Sequence, residues 1–354
     1  MIKRVSWVTL TVVAIMFSVA ACRERKEEKE KSMKEVAPED RSYASKVEEL
    51  DKGTLPFIEK MDVPGLFKYR QDTGITVCGL SPIALLLETL KQSGKDVGMK
   101  VVDYYTSGHV TGDWTNTVSY YTIAFYEKDG SSGSKRSSED GEDGQDSGDE
   151  EKVEEPGKKR VRPMATGPEW FPKKEGPLRK EIDSLLEKAE RAELPGRLLA
   201  LIAPHAGYRF SGRAAAAGFR LLDRGTERVV LLGVPHRARV KGVSLAPYDY
   251  YDTPLGPAPV DVAVMNRLAK HDLFGTVPHA HAKEHSIEVL VPFVRHVSES
   301  AKIVPFLVGF MTFENYADAA RELIPLLDEG TVFIASSDFA HIGPRFGYQP
   351  FGDQ

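Results

Sequence analysis

Apolar positions along the chain fall into two periods. Runs of six to nine mostly aliphatic residues, LLALIA (198–203), RVVLLG (228–233), AKIVPFLVG (301–309) and TVFIAS (331–336), are bounded by Gly, Pro or charged residues and read as buried strands. Between them, helical spacing covers residues 177–193, 212–223 and 314–328. Strand alternating with helix predicts an α/β fold: a single sandwich-like domain with a largely parallel central sheet. Upstream, LDKGTLPFIEKMD (50–62) and PGLFKYRQ (64–71) read as short helices and GITVC (74–78) as a strand. SPIALLLETLKQSG (81–94) follows as a helix, and MKVVDYYTSG (99–108) and NTVSYYTIAFY (116–126) read as strands joined through Gly112 and Asp113.

Two stretches carry neither period. Residues 23–40, RERKEEKEKSMKEVAPED, have almost no apolar content and read as a solvated tether. Residues 127–161 are rich in Gly, Ser, Asp and Glu, cannot bury a core, and read as a disordered acidic linker. Their acids lack the spacing of a calcium-binding EF-hand loop. The folded segments are therefore 41–126 and 162–354. Ahead of them, residues 1–22 have a basic start (Lys3, Arg4), a short apolar run and small residues before Cys22, the pattern of a signal peptide. Val19-Ala20-Ala21-Cys22 also resembles the lipobox of bacterial lipoproteins, which makes Cys22 a lipidation site. A lipid-anchored, extracytoplasmic protein follows, facing the periplasm, with Arg23 favouring the outer membrane in a Gram-negative host.

The chain has 354 residues and a formal net charge of −5, which argues against nucleic acid as a partner. Only two cysteines are present. With Cys22 lipidated, Cys78 has no partner for an intramolecular disulfide, so it is either a buried inert thiol or a reactive or metal-binding one.

Chemistry gathers at predicted strand ends. LLALIAPH ends at His205, RVVLLGVPH at His236, VFIASSDFAH at Asp338 and His341, and GITVC at Cys78. Sites in open α/β sheets form at the carboxyl ends of strands. Taken singly, each residue has a plainer role as a loop, surface or capping group. A second cluster, HAHAKEHSIEVLVPF (279–293), holds His279, His281, Glu284, His285 and Glu288; helical spacing would put Glu284 and Glu288 on one face with His285 beside them. Adventitious metal binding by a histidine-rich loop is the alternative.

LIAPHAGYRFSGRAAAAGF, LLGVPHRA, YDTPLGPAPVD, EHSIEVLVPF and SSDFAHIGPRFGY, preceded by GPEWFP, resemble the Memo family, whose fold is similar to class III extradiol dioxygenases. In that family the block around VCGLSP belongs to the carboxyl-terminal third; here residues 41–126 stand in front. The resemblance therefore implies a circularly permuted domain, with the linker joining the family's carboxyl end near Tyr126 to its amino end near Arg162. About 35 flexible residues span roughly 30–35 Å, enough to join two ends on one domain surface. A truncated tandem fusion or a gene-model artefact are the other accounts of this order.

The resemblance also implies a metal site of His205, His236 and Cys78. His341 would be the acid/base, Asp338 its orienter or a further ligand, and His285 and Glu284 would line the cleft. Leu80 departs from the family, which usually has arginine there. Cys78 precedes a helix start, where the dipole favours a thiolate. Two imidazoles and a thiolate suit Fe(II) or Cu, and also Zn. The expected function is O2-linked oxidation of an unknown small molecule by a non-heme metal protein. Alternatives are a metal-carrying or peptide-binding module without turnover, and a zinc hydrolase.

Overall fold

The computed structural model describes residues 38–128 and 159–352. The leader, Cys22, nearly all of the tether and most of the acidic linker lie outside the described residues. Helix Pro38–Lys52 begins inside the expected tether, and strands reach into both edges of the expected linker.

The main sheet is built from β1 (Val97–Thr106), β2 (Thr117–Lys128), β4 (Gly196–Ala203), β5 (Arg228–Gly233), β6 (Val243–Leu245), β9 (Phe274–Gly275), β10 (Lys302–Val308) and β11 (Thr331–Ser336). Their order across the sheet is β1-β2-β4-β11-β5-β10-β6-β9, with β12 (His341–Ile342) pairing off β2. A small separate sheet joins β3 (Val161–Arg162), β7 (Tyr250–Tyr251) and β8 (Ala258–Pro259).

The centre, β4-β11-β5-β10, is parallel throughout. These strands are aliphatic without alternation and buried almost along their whole length, as a sheet covered on both faces requires. Helix Leu80–Gln92 packs over β5, β10 and β11, and helix Phe313–Leu323 packs against it. Helix Tyr208–Phe219 packs on β1, β2 and β4, backed by helices Glu175–Lys188 and Val291–Val297. Its small residues allow a close approach: a Cβ on Gly218 would meet Thr122 Cγ2 at 2.7 Å, and Thr122 Oγ1 donates to Ala214 O at 2.5 Å.

The hairpin β1-β2 comes before the linker, yet it completes the sheet by pairing β2 antiparallel with β4, Ile123 opposite Ile202. At the other end, the ring of Phe351 meets Tyr43 edge-on at 5.3 Å. The segments on the two sides of the linker thus share one sheet and one core.

Two local expectations are corrected. GITVC joins no ladder and ends in a turn at Cys78: it leaves helix Val63–Thr73 through Gly74, whose φ of 72° closes that helix, and is held by Thr76 Oγ1 to both N and O of His341. Glu284–Glu288 forms turns rather than a helix, the next helix starting at Val291. The Glu284 carboxylate takes the amides of His285 and Ser286, while Glu288 turns away to Arg162 and the amides of Ala165 and Thr166. The two acids therefore do separate jobs.

Candidate metal centre

His205 follows β4 and His236 follows β5, each two or three residues beyond the strand, where the sheet opens into loops. The segment after β11, Ser337 to His341, lies beside them, and Cys78 is brought up from the other side of the linker. Cys78 Sγ is 3.3 Å from His205 Nε2. One ligand atom from each of Cys78, His205 and His236 falls within 4.8 Å of the others.

Hydrogen bonding decides which nitrogen each histidine offers. His205 is buried, and its Nδ1 lies 2.7 Å from Ser336 Oγ. That hydroxyl already gives its proton to Ser286 O at 2.6 Å, so it accepts from His205 Nδ1–H. The Nε2 lone pair is left facing the sulfur. His236 Nδ1 is 2.8 Å from Glu284 Oε1, and its amide donates to Oε2 at 2.7 Å. Burial pushes the Glu284 carboxyl up, but the hydrogen bonds from His236 and the Ser286 amide outweigh it and hold it at about 2. Against a carboxylate, Nδ1 must be the donor, so Nε2 of His236 is the ring nitrogen left to face the same centre. Carboxylate- or hydroxyl-anchored imidazoles of this kind are how metal-binding histidines are oriented.

The donor set fits a metal. Bonds of about 2.3 Å to sulfur and about 2.0 Å to nitrogen separate the two ligand atoms by roughly 3.3–3.6 Å. The electrostatics agree. Burial, then the nearby His236, hold His205 well below the usual imidazole range and so keep it neutral. The thiol differs from the sequence-based expectation: burial and the Asp338 charge push Cys78 well up, outweighing the Asp338 amide that Sγ accepts at 3.3 Å. Starting a helix is insufficient here, and ionising the thiol requires a cation beside it.

A sequence model of the Memo-like protein family matches residues 22–124 and 162–353. The chain belongs to the Memo family. It is similar to Protein MEMO1 of Xenopus laevis, 34% identical over 186 residues, which are 51% of this chain and 62% of that protein. A MEMO1 family protein of Thermococcus onnurineus is 36% identical over 165 residues, 44% of this chain and 57% of that one. One of Aquifex aeolicus is 32% identical over 187 residues, 52% and 69%. The chain thus spans less than two thirds of the first two relatives' lengths.

In this Memo domain the remaining expected residues surround the same centre. His285 stacks on His236, ring centroids 4.4 Å apart, and stands edge-on to His205. Burial, above all, holds it down at about 3, so it is neutral. Asp338 is buried, and its Oδ1 accepts the His205 amide at 2.8 Å; burial pushes its carboxyl up against the pull of His341 and that amide. Asp338 thus braces His205, whereas the His341 ring is held at Nδ1 by the carbonyls of Phe339, at 2.8 Å, and Thr76. Both carbonyls can only accept, so Nδ1 is the donor and Nε2 of His341 is the ring nitrogen they leave unengaged. Glu284 lies beneath the wall, orienting His236. Of the second cluster, His281 turns away to Ser244 and Glu288 to Arg162.

The site opens into a cavity of about 710 Å3 lined by His205, His236, His285, Asp338 and His341, with an apolar flank of Tyr120, Trp170, Phe210 and Phe346. Sequence reading missed Tyr120, Ser336 and this aromatic flank. Ser336 was legible as the last residue of a strand pointing the same way as its neighbours, whereas Tyr120 is one of several aromatics in β2 with no mark of its own.

Proposed function

We propose that this Memo-family protein is a lipid-anchored, extracytoplasmic metal protein that uses Fe(II) or Cu for O2-linked oxidation of a small molecule. The observation that carries the reading is the approach of Cys78 Sγ to His205 Nε2 at 3.3 Å, with His236 completing a two-histidine, one-cysteine set whose histidines line a cavity. Cys78, His205 and His236 would hold an ion that would supply Lewis-acid and one-electron redox chemistry there. The chain does the rest. Ser336 and Glu284 fix the two imidazoles, and the aromatic flank of the cavity shields the floor from bulk water and grips the apolar part of a substrate. His341, anchored at Nδ1, takes or returns a proton at Nε2, and Asp338 adds a buried carboxyl beside it.

The order of the chain is a circular permutation in this reading. Three facts support it: ligands from both sides of the linker meet in one site, β2 is inserted beside β4, and the segment near Tyr43 packs on Phe351. Anchoring through Cys22 rests on the lipobox-like leader; among the described residues no helix is long and apolar enough to cross a membrane. Incorporation of radiolabelled palmitate that disappears in Cys22→Ser tests the anchor.

The metal test is elemental analysis and electron spin resonance on protein prepared without oxygen, beside Cys78→Ala and His205→Ala. Stoichiometric Fe or Cu, lost in both variants, is the expected result, followed by O2 consumption on substrate screening. Zinc without O2 consumption moves the reading to a hydrolase or carrier. Metal indifferent to Cys78 overturns it.

A further inference from the structure

Asp51 is the next-to-last residue of helix Pro38–Lys52, and its side chain is wholly buried. Its Oδ2 accepts from the Tyr104 hydroxyl at 2.9 Å and its Oδ1 from the Ala340 amide at 3.2 Å. Ala340 belongs to the segment that follows β11, and the amides of that segment can be accounted for one by one. Ser337 N donates to Ala203 O at 2.9 Å and Phe339 N to Ser119 O at 2.9 Å. The other three go to side chains from the segment ahead of the linker: Asp338 N to Cys78 Sγ, Ala340 N to Asp51 and His341 N to Thr76 Oγ1 at 2.8 Å. Asp51 is the single carboxylate among these acceptors.

We propose that Asp51 is a positioning residue of the metal centre: through the Ala340 amide it sets the placement of the segment whose Asp338 meets both Cys78 and His205 and whose His341 lines the cavity. The inference rests on the metal reading above. A buried carboxyl with no cation beside it is costly to keep. The titratable groups facing Asp51 are Tyr104 and Tyr121 from β1 and β2, Tyr69 and Tyr348 from helix Val63–Thr73 and the end of the described chain, and Glu48 of its own helix. Each is neutral or negative, and burial pushes Asp51 up to about 7. Core packing alone would be served better by leucine. What a carboxyl adds is two acceptor oxygens on a short, stiff stem, reaching a strand tyrosine on one side and the site segment on the other.

The test uses the metal-free protein titrated with Co(II) alone without oxygen, reading the sulfur-to-cobalt absorption that reports Cys78 directly. Asp51→Leu, which leaves the Ala340 amide and the Tyr104 hydroxyl without this acceptor, is expected to weaken Co(II) binding by about 10-fold or more, as loss of an orienting group does. Asp51→Asn keeps a carbonyl for the Ala340 amide and should stay within about 3-fold of the parent by the same comparison. Ile58→Ala, a buried truncation that touches none of these hydrogen bonds, controls for lost stability. Asp51→Leu that is folded by near-ultraviolet circular dichroism and binds Co(II) like the parent, or no worse than Ile58→Ala, overturns the proposal. If the parent itself shows no sulfur-to-cobalt band, the metal reading fails. Hydrogen exchange of residues 337–342 then decides the positioning role: faster exchange in Asp51→Leu but not Asp51→Asn supports it, and equal exchange overturns it.

Discussion

Ser336 and Glu284 would act on a bound metal without touching it. Each presents an acceptor to which the ring of its histidine donates from Nδ1–H, so Nε2 of both rings is turned toward the same place. Ser336→Ala leaves His205 Nδ1–H without that acceptor; metal affinity should fall about 10–100-fold with the fold intact, read by competition with a chelating dye. Glu284 carries a pH signature as well. Its folded value of about 2 lies below the usual carboxylate value, so its contribution is present above about pH 4.5 and lost as pH falls through about 2. Urea melts of the metal-free protein should show Glu284→Gln less stable than the parent by about 2–3 kcal/mol at pH 7, the gap closing in acid. His285 adds to acid sensitivity by another route. An unfolded imidazole binds a proton below about pH 6.5, whereas the folded ring resists until about 3, so stability again drops as pH falls.

Elements meet at the site with little clearance. Gly79 sits where the turn after Cys78 enters helix Leu80–Gln92, and a Cβ there would lie 2.3 Å from Ser337 Cβ and 2.5 Å from Ser336 O. Gly79 N donates to Ser337 Oγ at 3.1 Å, which ties the helix start to the end of β11. Gly79→Ala should destabilise the domain by about 1–3 kcal/mol and lower metal affinity by displacing Cys78, both checked by a thermal melt with and without metal. Hydrophobic period located β4, β5, β10 and β11 because strands buried on both faces show as unbroken aliphatic runs. It failed for residues 74–78, where a β-like composition is spent packing beneath His341 rather than pairing. It failed too for Glu284–Glu288, where carboxylate capping of local amides outcompetes the helix that the spacing permits.

At the scale of the molecule, the connection across 129–158 is covalently dispensable if the sheet is what joins the two segments. A protease site placed there and cut should leave both pieces in one peak on size-exclusion chromatography, with metal retained, because β2 stays paired with β4 and β12. Separation of the pieces on cutting would mean that the linker, rather than the pairing, holds them. A chain reordered so that residues near Phe351 run on into those near Tyr43 should fold with the same metal stoichiometry, since these rings already touch. By itself the sequence determined the α/β class and the family, and it marked the strand ends and three residues as candidates for chemistry, because periodicity and motif are local properties of the chain. The tertiary structure alone decided that Cys78 and His205, 127 positions apart, are neighbours, which nitrogen each histidine presents, and that Cys78 is held as a thiol. Those depend on which hydroxyl, carboxylate or carbonyl stands within 3 Å of a given atom, and on how far water is excluded from it, and neither distance nor burial is written in the order of residues.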